Sequence, residues 1–159
     1  MAKILICYYS RTQHTQRMAQ IVADGARKVP KAAVDLKPIQ QLQARDLVGY
    51  EAIIMGSPTY YGTMAAELKK LIDESVKFHG QLAGKVGGAF SSSANVGGGN
   101  ETTVLDILKA MLIHGMIIQG AAMGDHYGPV AVGEVDARAS EQCLKLGKSV
   151  AELAVKIHG

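Results

Sequence analysis

Strand-like and helix-like stretches alternate along this chain from end to end, and that alternation restricts its fold more than any other feature. Lys3 to Tyr9 (KILICYY) is a short apolar run whose length, and content of Ile, Cys and Tyr, fit a buried strand. After a polar stretch, Met18, Ile21, Val22, Gly25, Ala26 and Val29 recur at helical spacing as far as Pro30, which cannot continue a helix. Ala33 to Lys37 alternates as an edge strand does, and Ile39 to Val48 is a Gln-rich link with room for one helical turn. The pattern then repeats with strand Tyr50–Gly56 and helix Ala65–Phe78, followed by strand Lys85–Ser91 and helix Glu101–His114. Strand Met116–Gln119, an irregular Ala121–Val135 and a final helix Ala137–Ile157 complete the chain. Alternation of this kind builds a parallel sheet with helices on both faces, joined by right-handed crossovers. The expected fold is therefore α/β, a doubly wound five-stranded parallel sheet. With 159 residues and no linker, repeat or low-complexity block, a single domain over residues 1–159 is expected.

Composition excludes several function classes. Lys and Arg number 17 and Asp and Glu 14, a net charge of +3 with no basic stripe, so no nucleic-acid partner is expected. The two cysteines, Cys7 and Cys143, cannot build a disulfide framework, and no Cys/His spacing suggests a metal site. Cys7 falls mid-strand and Cys143 on the apolar stripe of the last helix, so both read as inert core thiols. There is no basic leader with an apolar segment behind it, and no apolar run approaches the roughly 18 residues of a membrane span. A cytoplasmic location is expected.

In an open α/β sheet, ligands bind beyond the carboxyl ends of the strands where the strand order reverses. Three segments there are unusual. Ser10–Thr15 (SRTQHT) opens a helix and offers hydroxyls beside free N–H groups and a positive dipole end, which suits a phosphate. Helix capping by Ser10 and Thr12 is the plainer reading of the same residues. Ser57–Gly62 (SPTYYG) carries two adjacent tyrosines in a short loop, so either at least one ring stands exposed, where it can stack on a flat ligand, or both cover the end of the core. Ser92–Asn100 (SSANVGGGN) holds three consecutive glycines, which let backbone approach a ligand closely. With strand order 2-1-3-4-5 the three segments lie side by side. A ligand with a phosphate at one end and a flat ring at the other suits them, and FMN fits that description.

The runs KILICYYS, GSPTYYGTM and FSSSANVGGGNET, the HGM at residues 114–116 and the terminal LAVKIHG resemble the flavodoxin-like superfamily. More closely, they are similar to its tryptophan-repressor-binding-protein family of NAD(P)H:quinone oxidoreductases, over nearly the whole chain. The resemblance implies FMN as cofactor, with Ser10, Arg11, Thr12, Gln13, His14 and Thr15 on the phosphate loop. It places Pro58, Thr59, Tyr60, Tyr61 and Gly62 against the flavin ring. Ser91, Ser92, Ser93, Ala94, Asn95, Val96, Gly97 and Gly98 would line the ring's other edge and the ribityl chain. Tyr60 and His114 are the implied catalytic residues. NADH or NADPH would be the reductant and a quinone the acceptor in a ping-pong cycle, and the family forms homodimers and homotetramers. The sequence departs from the family at Gln13, where many relatives have glycine, and at Tyr60, where arginine is usual. Ile113 stands where some relatives have a second histidine. Two insertions, between residues 38 and 50 and between 120 and 127, are missing. The rival reading is a flavodoxin-type electron carrier, but such carriers are strongly acidic and this chain carries +3.

Overall fold

The computed structural model describes residues 1–159. Its elements run β1 (Ala2–Tyr8), α1 (His14–Arg27), β2 (Ala32–Pro38), β3 (Ala52–Tyr60), β4 (Thr63–Met64), α2 (Ala66–Glu74), β5 (Val86–Ser93), α3 (Asn100–Ile113), β6 (Ile117–Ile118), β7 (Val130–Val132) and α4 (Ala137–His158). The expected Gln-rich link is two short 3-10 turns, Ile39–Gln41 and Ala44–Gly49. The sheet order is β2-β1-β3-β5-β6. Apart from the small β4 arm, this is the doubly wound order expected from the alternation. The edge position assigned to the second strand also holds.

Strand side chains alternate between faces, and the sheet buries both. Ile4, Ile6 and Ile54 pack with Met18, Val22, Phe90 and Cys143 under α1 and α4. Leu5, Cys7, Ile53 and Met55 pack with Leu68, Leu71, Ile107 and Met111 under α2 and α3. Helices α1 and α4 cross closely through two glycines. A Cβ on Gly25 would lie 2.2 Å from the Leu144 carbonyl oxygen, and one on Gly147 would lie 1.9 Å from that of Val22. Only hydrogen fits at either position without moving backbone.

The structure corrects the expected boundaries in three places. The tyrosine-bearing segment is not a loop. β3 runs on to Tyr60 and returns through β4, with Thr59 opposite Met64 and Tyr60 opposite Thr63. Tyr61 (φ 47°) and Gly62 (φ 83°) form the two-residue turn, the backbone that a right-twisted hairpin requires. β5 likewise extends two residues beyond expectation, to Ser93. The fifth sheet position is split between two short strands. β6 pairs with Val86 and Gly87, and β7, inside the stretch read as irregular, pairs with Ser91, Ser92 and Ser93. Between them, Asp125 accepts from Val130 N at 3.0 Å and pairs with Arg138 Nη1 at 2.7 Å, fastening β7 to the start of α4.

Candidate functional site

The carboxyl ends of β1, β3 and β5 are adjacent, so the turn after β1, the β3–β4 hairpin and the loop after β5 meet along one edge of the sheet. α1 begins at that edge. Gln13, its N-cap, sits in the left-handed region (φ 72°, ψ −5°) and makes no side-chain cap. This is the conformation that glycine adopts at low cost and a side chain disfavours. Ser10 Oγ accepts from Gln16 N at 3.3 Å, so the capping role read from the sequence is real for Ser10. None of the amides from Ser10 to Thr15 donates to a backbone carbonyl. The first turn holds no acidic residue. A run of free amides at a helix N-terminus, with no carboxylate among them, is the chemistry that holds a phosphate.

The ring side is organised differently. Thr15, buried, shares a 2.9 Å hydrogen bond with Ser92 Oγ and ties the turn to the end of β5. Thr59 Oγ1 lies 3.0 Å from Ser91 Oγ and 3.2 Å from Thr103 Oγ1. Thr103 donates to the Gly99 carbonyl at 2.8 Å, and Asn100 Nδ2 donates to Ser93 Oγ at 2.9 Å. Ser57 Oγ accepts from Ala65 N at 2.9 Å and donates to the Pro58 carbonyl at 2.8 Å. Gly99 caps α3 at φ 101°, and a Cβ there would stand 3.0 Å from Gly62 Cα. The glycine loop therefore rests directly on the hairpin turn. Tyr61 is fully exposed and Tyr60 partly so. Both rings stand out of the core, and Tyr60 meets Tyr9 edge-on with centroids 6.4 Å apart at 82°.

The structure brings together Ser10 to Thr15, the hairpin residues Pro58 to Gly62, and Ser91 to Gly98 at and beyond the end of β5. It does not bring His114 to them. α3 starts at the site edge and its 14 residues carry the chain about 21 Å to the opposite edge. There His114 caps the helix, with Nε2 2.8 Å from Ser75 Oγ and its ring 5.8 Å from that of His79. Burial first, and then the neighbouring His79, hold its pKa below the ordinary histidine value. The direction in which α3 runs thus places His114 apart from the three segments it was expected to join. His126 Nδ1 lies 2.7 Å from the Ala121 carbonyl oxygen. The cysteines are buried and burial pushes both thiols up to about 12, so neither is a nucleophile.

Two contributors, Tyr9 and Thr103, were missed from the sequence, and Asn100 was read only as the end of the glycine segment. Tyr9 belongs to the site through Tyr60, and the double tyrosine closing KILICYYS was its signal. Thr103 and Asn100 hold the glycine loop. Their signal was the run of polar residues opening a helix directly after glycines, a capping composition.

The family model described as NADPH-dependent FMN reductase matches residues 39–128, more than half of the chain. The chain belongs to this flavodoxin-like, WrbA-type family. An NAD(P)H dehydrogenase (quinone) from Rhodopseudomonas palustris is 34% identical over 201 residues, covering 100% of both chains. A flavodoxin from Aquifex aeolicus is 34% identical over 168 residues, covering 100% of this chain and 91% of that one. Among solved structures, a WrbA-like flavodoxin from Agrobacterium tumefaciens matches with a TM-score of 0.83 at 28% identity over 99% of each chain. The Rhodopseudomonas alignment spans 201 residues against the 159 of this family member, so 201 − 159 = 42 aligned positions hold no residue of it.

Proposed function

We propose that this protein is an FMN-dependent oxidoreductase that uses NAD(P)H to reduce quinones by two electrons. The observation that carries the reading is the run of free amides from Ser10 to Thr15 beside the exposed Tyr60–Tyr61 turn. The residues fit the cofactor. The Ser10–Thr15 turn would hold its phosphate, with the hydroxyls of Ser10 and Thr12 as added donors. Pro58 to Gly62 would flank its ring on one side and Ser91 to Gly98 on the other, over the ribityl chain. Bound FMN would supply the hydride and electron chemistry between NAD(P)H and the acceptor. The protein supplies position. The fixed hydroxyl network holds the ring-side segments, and the Tyr60 ring, braced by Tyr9, orients a flat substrate. No helix is long and apolar enough to cross a membrane, and we place the protein in the cytoplasm.

The test is an absorbance titration of apoprotein with FMN, followed by NADH, NADPH and a quinone. Tight FMN binding, bleaching by one of the two nucleotides and recovery of colour on adding quinone are expected. Tight binding without bleaching by either nucleotide overturns the enzyme reading. That outcome would leave the electron carrier, which the length match with the Aquifex flavodoxin favours.

A further inference from the structure

We propose that the seam between α2 and α3 binds the apolar tail of the acceptor, so that the preferred quinones carry a prenyl or alkyl chain. This rests on the quinone reading above and deepens it. Two cavities lie end to end along the seam. One of about 840 Å³ begins at Tyr9 and Tyr60, at the site edge. The other, of about 360 Å³, reaches Val76 and His79 at the far edge. Ala110 and Ile113 line both, so the two form one track leading away from the residues that would hold the quinone ring. Between the ends, Asp106 to His114 covers about 12 Å of helix.

The lining selects the occupant. Met64, Ile72, Val76, Ala110 and Ile113 give the track apolar walls. Ile113, on α3, is 74% exposed, and Val76, in the 3-10 turn Ser75–Phe78 that follows α2, is 68% exposed, at surface positions where polar residues are the rule. Along the track Lys69 pairs with Asp73 at 2.6 Å and Lys109 with Asp106 at 2.8 Å, each within its own helix, while Arg11 and Glu67 at the site end make no ion pair. An ionic ligand such as a dinucleotide phosphate gains little from paired ions, whereas an alkyl chain gains from every methylene it removes from water. A second copy of the chain fits less well. A copy would have to seat a ridge of its own in the groove, whereas the tail of an acceptor held at Tyr60 enters it directly.

Acceptors sharing one benzoquinone ring, with no tail, one prenyl unit or a decyl chain, test this on the FMN-loaded protein. KM is expected to fall at least about tenfold from the tail-less quinone to the decyl compound. Ile113→Glu should abolish that gain while leaving kcat and KM for the tail-less quinone unchanged, and Ile113→Leu should keep it. Because Ile113 is exposed, the Glu variant is expected to fold, which far-UV circular dichroism checks. Tail-independent KM in the wild type, or a gain that survives Ile113→Glu, overturns the proposal. So does a tail-independent KM together with Ile113→Glu splitting an oligomer in sedimentation, which makes the seam a contact between copies. If no quinone is reduced at all, the quinone reading fails separately and calorimetry decides the seam. Heat of binding from the decyl compound alone then supports an apolar-tail site, and equal or absent heats overturn it.

Discussion

The two sides of the candidate site treat their polar groups in opposite ways. On the phosphate side, the amides of Ser10 to Thr15 are unspent, and Gln13 is held in a conformation that its side chain disfavours. On the ring side, Ser91, Thr59, Thr103 and Gly99 have used their hydrogen-bonding capacity on one another. A phosphate recognises donors, so donors must be left free for it. A flat ring recognises shape, so the segments around it must be fixed first. The open side should therefore respond to ligand, and the latched side should respond to mutation.

The largest effect expected is from the cofactor. FMN at 100 times its dissociation constant should stabilise the fold by about 2.7 kcal/mol. Hydrogen exchange should show new protection at residues 10–15 and little change at 99–103, and equal gains on both sides would break the comparison. Next is Gly99→Ala. It forces a side chain into φ 101° and against Gly62. It should cost about 1–2 kcal/mol and weaken FMN binding. Thr103→Val removes a fully buried hydroxyl that joins Thr59 to the Gly99 carbonyl, which keeps the Thr103 N–H and Thr102 Oγ1 as donors, at a cost of roughly 0.5–1.5 kcal/mol seen in chemical denaturation. Gln13→Gly acts on the open side and in the other direction. Relief of the left-handed strain should outweigh the added chain entropy by under about 1 kcal/mol, raising Tm slightly without loss of FMN affinity.

The smallest effect belongs to neither side. The folded protein depresses the pKa of His114, so the unfolded chain takes up this proton more readily. Its contribution to stability is complete above the unfolded value of about 6.5 and is lost as pH falls through the lower folded value. Tm should decline on acidification below that point, and His79→Gln, by removing a neighbouring positive charge, should lessen the decline. His114→Gln should leave the FMN dissociation constant within about twofold, because the two are far apart. A larger change would return His114 to the site.

Much of the architecture was legible because burial imposes periodicity. β1 and α1 show their partners in KILICYY and in the spacing of Met18, Ile21 and Val22, since a strand buried on both faces and a helix buried on one must carry those patterns. The hairpin was not legible. SPTYYG has the composition of a loop, and only pairing with β4 and β5 makes it a strand. The three residues of β7 were missed for the same reason, because so short a segment is a strand only when β5 offers it an edge.

The sequence by itself determined the order of elements, the two buried faces and the presence of three small, hydroxyl-rich segments at strand ends. These follow from side-chain chemistry at short range. Tertiary structure alone decided which donors are spent and which remain free, that Thr15 reaches Ser92 across 77 residues, and that His114 lies a helix-length from the chemistry. Hydrogen bonds and distances of that kind depend on where the sheet places each loop and on which way each helix runs. No local pattern encodes them.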